Sequence, residues 1–165
     1  IMLHLVAYAI TNMAAFLSVS AIYNMTGKDE IRDLAGVARR SPMLAVVLTA
    51  SLFSLAGLPI FAGFTSKFYL FSAAAAQGLL WLAGLATFTS LISLYYYLTV
   101  IRQLYIEPPG TDTPIQVPRV TVVVLALLLA GMVFVGVYPA PLMDAIRHAS
   151  DVIVSADSVV QLAQP

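Results

Sequence analysis

The sequence predicts an all-α, polytopic transmembrane helix bundle, and three observations carry that prediction. Hydrophobic residues make up 61% of the chain and charged residues only 10%, outside the composition of a water-soluble globular domain. Apolar runs of about 17–25 residues recur along most of it, the length a helix needs to cross a hydrocarbon core of about 30 Å. Glycine and proline fall between those runs and punctuate them.

The first span is expected over residues 3–25. Its polar Thr11, Asn12, Ser18 and Ser20 suit packing against other helices, because such groups seek partners away from lipid. Thr26-Gly27 ends it, and Lys28 to Arg40, with seven of the sixteen charges, reads as a solvated connection. Ser41-Pro42 is a helix start, with serine as N-cap and proline at the first helical position. A second span over 43–58 stops at Gly57-Leu58-Pro59, since proline lacks a donor and clashes with the preceding turn. A third is expected over 60–77, joined through Gly57 to Gly63 by a tight turn or a discontinuity at membrane depth. The fourth, 79–101, carries Trp81 near one end and Tyr95 to Tyr97 near the other, as interfacial aromatic belts do. Glu107 to Pro118 holds four prolines and reads as an exposed loop. The fifth span, 120–138, is the least interrupted and lipid-facing. Residues 1–138 thus form the bundle, and 139–165 a surface amphipathic tail with Leu142, Ile146 and Ile153 opposite Asp144, Arg147 and Asp151.

Composition also excludes chemistry. Eight basic and eight acidic residues cancel, so nothing points to nucleic acid. With no cysteine, the chain cannot ligate Fe–S clusters or cysteine-held zinc, and two histidines far apart argue against a metal site. No phosphate-cradling glycine motif or nucleophile elbow is present. The chain enters an apolar helix at Ile1 without a basic leader, the pattern of a piece of a longer protein.

One charge interrupts the 34 residues from Met43 to Ala76, and it is Lys67. If Pro59 marks the membrane surface, eight residues of helix put Lys67 roughly 12 Å below it. An ammonium there costs at least about 2.5–3.5 kcal/mol, so it should face protein or water. The proton of a partly desolvated amine is poised to leave or return when a nearby charge changes, which a proton relay requires. Snorkelling to an interface, or pairing with a carboxylate of another helix, is the plainer alternative. His4 is a weaker relay candidate, since a histidine there more often serves packing. Gly57, Pro59 and Gly63 are architectural: they permit a break where unpaired backbone groups meet an ion.

Taken together, several motifs resemble a known family. These are Asp33-Leu-Ala-Gly-Val-Ala-Arg-Arg-Ser-Pro42, Ser54-Leu-Ala-Gly-Leu-Pro59, Gly63-Phe-Thr-Ser-Lys-Phe-Tyr-Leu-Phe71 and Tyr95-Tyr-Tyr-Leu98, with Tyr8 to Phe16 before them. In this order and spacing they resemble subunit N of the proton-pumping NADH:quinone oxidoreductases, the chain 2 counterpart of respiratory complex I. The resemblance implies an antiporter-like fold of two inverted repeats, each with a broken helix bearing a lysine. This chain would be most of the second repeat plus a final helix. Lys67 matches the lysine that the family assigns to the proton route, and Thr65 is more polar than the usual residue at its position.

The function so implied is a proton-translocating, non-redox membrane subunit of an NADH:quinone oxidoreductase in the cell (inner) membrane. It would work beside other membrane-arm subunits and bind no cofactor itself; NADH and quinone are used by the whole complex. A subunit of a multi-subunit Na⁺/H⁺ antiporter, or a purely structural membrane anchor, are the alternatives. With five spans, lysine and arginine divide five to two in favour of the side of Lys28 to Arg40 and the tail, so that side would be cytoplasmic. The family's outward-facing termini argue the reverse for the tail.

Overall fold

The computed structural model describes residues 1–28, 30–110 and 113–150. It contains helices α1 (Met2–Thr26), α2 (Val37–Arg40), α3 (Pro42–Ala56), α4 (Ala62–Ala76), α5 (Leu80–Tyr105) and α6 (Arg119–Val137). A 3-10 turn, Ile31–Leu34, precedes α2, and residues 140–150 form a further helix, α7. Among the described residues, α1, α5 and α6 are each long and apolar enough to cross a membrane. The chain is an all-helical membrane protein. At 15 residues each, α3 and α4 rise only about 22 Å and fall short of the core singly.

Three neighbours establish the direction of α4. On α1, Ala14, Ala15 and Ile22 share a core cluster with Leu44 to Leu52 of α3. Further back, Thr11 meets Ser54 at 3.0 Å and His4 meets Ser66 at 3.1 Å. Falling numbers on α1 therefore meet rising numbers through α3 and on into α4. Helix α5 repeats the pattern: Thr49 donates to the Tyr105 hydroxyl at 3.5 Å, and Ser90 meets Lys67 at 3.1 Å. Helix α6 runs parallel to the pair, with Leu125 in the α3 cluster and Gly136 accepting from Thr65 at 2.7 Å.

Thus α3 and α4 do not double back. They follow each other end to end as one interrupted helix, so of the two joins expected between 43–58 and 60–77, a tight turn or a discontinuity, the structure has the discontinuity. Pro59 therefore lies in the middle of that rod and not at an end of it. The physical reason is pairing at the break. Packing α4 against the same three helices lets the ends of both halves find polar partners within the bundle.

The break is compact and tightly packed. Gly57 adopts φ 88° and closes α3 in a Schellman motif, with Gly57 N–H donating to Ser54 O and Leu58 N–H to Phe53 O, both at 3.0 Å. Ile60 sits at φ 84°, a left-handed conformation that costs a β-branched residue about 1–3 kcal/mol. It is held there by α6, where Gly136 approaches so closely that a Cβ would run into the Ile60 carbonyl.

Elsewhere the expectations shift in detail. Thr11 and Ser18 turn inward, whereas Ser20 is exposed. Helix α5 runs on to Tyr105, so Tyr95 to Tyr97 lie about two turns short of its end. Tyr95 and Tyr96 face outward, but Tyr97 packs against the core. The expected loop is strapped across the connection from α1: Ile115 N–H donates to Arg40 O at 3.1 Å and Arg40 Nε to Thr113 O at 2.9 Å. Gly36 N–H donates to Gln103 O at 3.1 Å. Lys28, Arg32, Arg39, Arg40, Arg102 and Arg119 thereby gather at one end of the bundle. At the other end, Leu142, Met143 and Ile146 of α7 pack on a cluster of Leu3, Ala7, Ala62, Met132 and Val135. The rest of the expected tail, 151–165, lies outside the described residues.

Candidate functional site

The site grows out of the unfinished end of α3. An α-helix leaves its last four carbonyls without intrahelical donors. In α3 these belong to Phe53, Ser54, Leu55 and Ala56. The Schellman turn satisfies the first two. The other two point to the Lys67 ammonium: Nζ donates to Leu55 O at 2.8 Å and lies 3.5 Å from Ala56 O. Lys67 belongs to the second turn of α4, and helical side chains lean back toward their own N-terminus. Its four methylenes therefore return the charge to the break, against Gly57. The negative end of the α3 dipole favours a cation at this point.

A third partner comes from α5, where Ser90 Oγ lies 3.1 Å from Nζ and itself donates to Ala86 O at 2.9 Å. Lys67 is half-buried. Among the described residues the ion pairs are Lys28–Asp33 at 3.5 Å and Arg102–Glu107 at 3.1 Å, both at the basic end of the bundle. The lysine is thus held by carbonyls and a hydroxyl of this chain and not by one of those carboxylates.

The start of α4 is satisfied in a different way. Gly63 N–H donates to Ser54 Oγ at 3.0 Å, and that hydroxyl also meets Thr11 Oγ1 of α1. Ser54 thus stitches both halves of the rod to α1. The approach requires glycine at 63, because a Cβ there would run into the Ser54 carbonyl.

His4 joins the same site. Its Nδ1 lies 3.1 Å from Ser66 Oγ, and its ring stacks on Tyr8 with centroids 6.1 Å apart. A cavity of about 220 Å³ between α1, α4 and α5 is lined by both His4 and Lys67, with Thr11, Ser54, Ser93 and Tyr97 on its walls. A second cavity, of about 240 Å³, meets Lys67 from the side of Phe64, Phe68 and Thr87. Together they put an amine, hydroxyls and an imidazole around clefts large enough for several waters in an apolar bundle. Such a setting can hold and hand on a proton. Among the described residues no group of three or more histidine and acidic side chains could hold a metal ion.

Sequence reasoning singled out Lys67 and His4 but missed Ser54, Ser66 and Ser90. A signal existed for one surface: Ser90, Ser93 and Tyr97 recur at helical spacing along α5. Nothing in the sequence says which face of α5 meets α4.

An interrupted apolar helix whose lysine caps its own break places the chain among membrane proteins built on discontinuous helices. Residues 1–93 match the family described as NADH:quinone oxidoreductase/Mrp antiporter, membrane part, and the chain belongs to that family. It is 42% identical over 145 residues to NADH-quinone oxidoreductase subunit N of Moorella thermoacetica, covering 87% of this chain and 30% of that one. To subunit N of Heliobacterium modesticaldum it is also 42% identical, over 150 residues, covering 91% and 32%. The chain thus spans about a third of the length of these relatives. Among solved structures, a chain of the membrane-bound sulfane sulfur reductase, an archaeal respiratory membrane complex, superposes with a TM-score of 0.82 at 27% identity, covering 91% of this chain and 30% of that one. A chain of respiratory complex I from Thermus thermophilus superposes with 0.67 at 26% identity, covering 84% and 33%.

Proposed function

We propose that this chain is a lysine-bearing part of a proton-translocating subunit of an NADH:quinone oxidoreductase, with Lys67 as its proton relay. The observation that carries this reading is the Lys67 amine, held on the two leftover carbonyls of a broken helix between two clefts of the bundle. His4 sits across one of them and would receive or deliver the proton from the side of α1. Redox chemistry belongs to other subunits in this reading. Coupling would reach Lys67 as a change in local charge, brought by membrane-arm neighbours in the cell membrane. The interrupted rod, its lysine and the helices around it would form the second of two inverted repeats.

The reading includes four spans: α1, the α3–α4 rod, α5 and α6. Six of the eight basic residues then lie at one end, and only Arg147 at the other, with Lys67 between. By the excess of lysine and arginine, the six-residue end is cytoplasmic. In this reading the start of α1 and α7 fall on the outer side, where the charge count and the family's outward-facing termini agree.

The test is Lys67→Met in the full-length protein within its complex. The complex should still assemble and oxidise NADH, but with fewer protons moved per electron. An unchanged proton-to-electron ratio would overturn the relay. The family also includes Mrp antiporter subunits. Sodium-driven proton exchange by the assembled parent, with NADH oxidation unaffected by deleting the subunit, would favour that assignment.

A further inference from the structure

We infer that Ser90 is the positioning residue that keeps the Lys67 amine between the two cavities in both of its protonation states. The inference rests on the reading of Lys67 as a relay. Of the three groups around Nζ, two are backbone carbonyls, which only accept. A serine hydroxyl both donates and accepts, and its hydrogen rotates to suit. With Lys67 protonated, Ser90 Oγ accepts from the ammonium at 3.1 Å while its own O–H donates to Ala86 O at 2.9 Å. Once the proton leaves, two N–H groups remain for Leu55 O and Ala56 O, and the amine lone pair needs a donor. Ser90 is the group placed to supply it. Its O–H turns from Ala86 O to Nζ, and Ala86 O keeps the backbone bond of the α5 helix.

The location suits this exchange. Ser90 lines the cavity of Phe64, Phe68 and Thr87, and Ser93, one turn along α5, lines the cavity shared with His4. Lys67 lines both. The hydroxyl therefore meets Nζ from the side of the first space, on a different helix from the carbonyls. The titratable groups facing Lys67 from the packed elements are His4 and Tyr8 of α1 and Tyr97 of α5, all on the second cavity. The α3 half contributes its carbonyls and the Ser54 hydroxyl, and no titratable group.

The experiment measures the initial rate of NADH-driven proton pumping per assembled complex, in membrane vesicles containing full-length protein. Ser90→Ala should slow pumping roughly three- to tenfold, the scale of the net worth of one ordinary hydrogen bond. Ser90→Thr, which keeps the hydroxyl, should return most of the rate. Wild-type pumping in Ser90→Ala beside a defective Lys67→Met overturns the role of Ser90 and leaves the relay standing. An unchanged proton-to-electron ratio in Lys67→Met overturns the relay and this inference with it. Equal losses in the Ala and Thr variants, or a lower amount of complex with normal rate per complex, assign Ser90 to packing and also overturn the inference. Should Ser90→Ala fail to assemble, Ser90→Cys, a weaker donor, takes its place, and a wild-type rate there has the same overturning force.

Discussion

Hydroxyl groups act at this site as fasteners whose worth depends on what they leave behind. Ser54 Oγ serves Gly63 N–H and Thr11 Oγ1 at once, and Ser54 is fully buried. Ser54→Ala would orphan the partly buried Gly63 N–H and take one of two partners from the Thr11 hydroxyl. That costs about 1–3 kcal/mol, more than the net worth of an ordinary hydrogen bond. The expected result is a lower unfolding temperature for the full-length protein in detergent, with Thr11→Val less harmful because Thr11 has a second partner in Ala7 O. The double variant should lose less than the two single losses combined, since the hydroxyls share one contact. Strict additivity would show that they do not. Lys67 was legible in the sequence because a lone charge in 34 apolar residues is costly wherever it lies. Its partners were not. Leu55 and Ala56 contribute carbonyls, which every residue possesses, and no side-chain pattern reveals a backbone acceptor.

At the scale of elements, the break between α3 and α4 is the feature on which the site depends. Glycine at 57 supplies a left-handed cap, and proline at 59 prevents a continuous helix. Those two roles were readable from residue type. Gly63 is needed for a reason that only packing discloses: the start of α4 lies directly on the end of α3. Gly63→Ala forces backbone against backbone, which a rotamer change cannot relieve. A destabilisation of about 1–3 kcal/mol or more is expected, read as reduced thermal stability and lower yield of assembled protein. The same substitution should disturb the Lys67 contacts, so pumping per complex should fall as well. Wild-type stability in this variant would show that the halves are not so closely apposed.

For the whole molecule, the direction of α4 changes the topology. Single cysteines at Arg39, Gln77 and Gln116, in a full-length protein otherwise free of reactive thiols, separate the two arrangements. With one interrupted rod, Arg39→Cys and Gln116→Cys react from the same side with a membrane-impermeant thiol reagent, and Gln77→Cys from the opposite side. With two antiparallel spans, Arg39→Cys would pair with Gln77→Cys instead. The strap from Arg40 to Thr113 and Ile115 argues for the first result, because it joins the two loops directly.

Composition and apolar run length were enough to establish a helical membrane protein, and glycine, proline and a solitary lysine were enough to mark the break and its ion. These features are local, because the cost of exposing backbone or charge to lipid is incurred residue by residue. The order of the helices in space was decided only by tertiary packing. Two apolar segments of 15 residues joined by a short break read alike as a hairpin or as one broken rod. What chose between them were contacts across long stretches of chain: Thr11 with Ser54, His4 with Ser66, and Lys67 with Ser90. Those contacts let the leftover carbonyls of α3 and the free N–H of Gly63 find partners inside the bundle, which a local sequence pattern cannot specify.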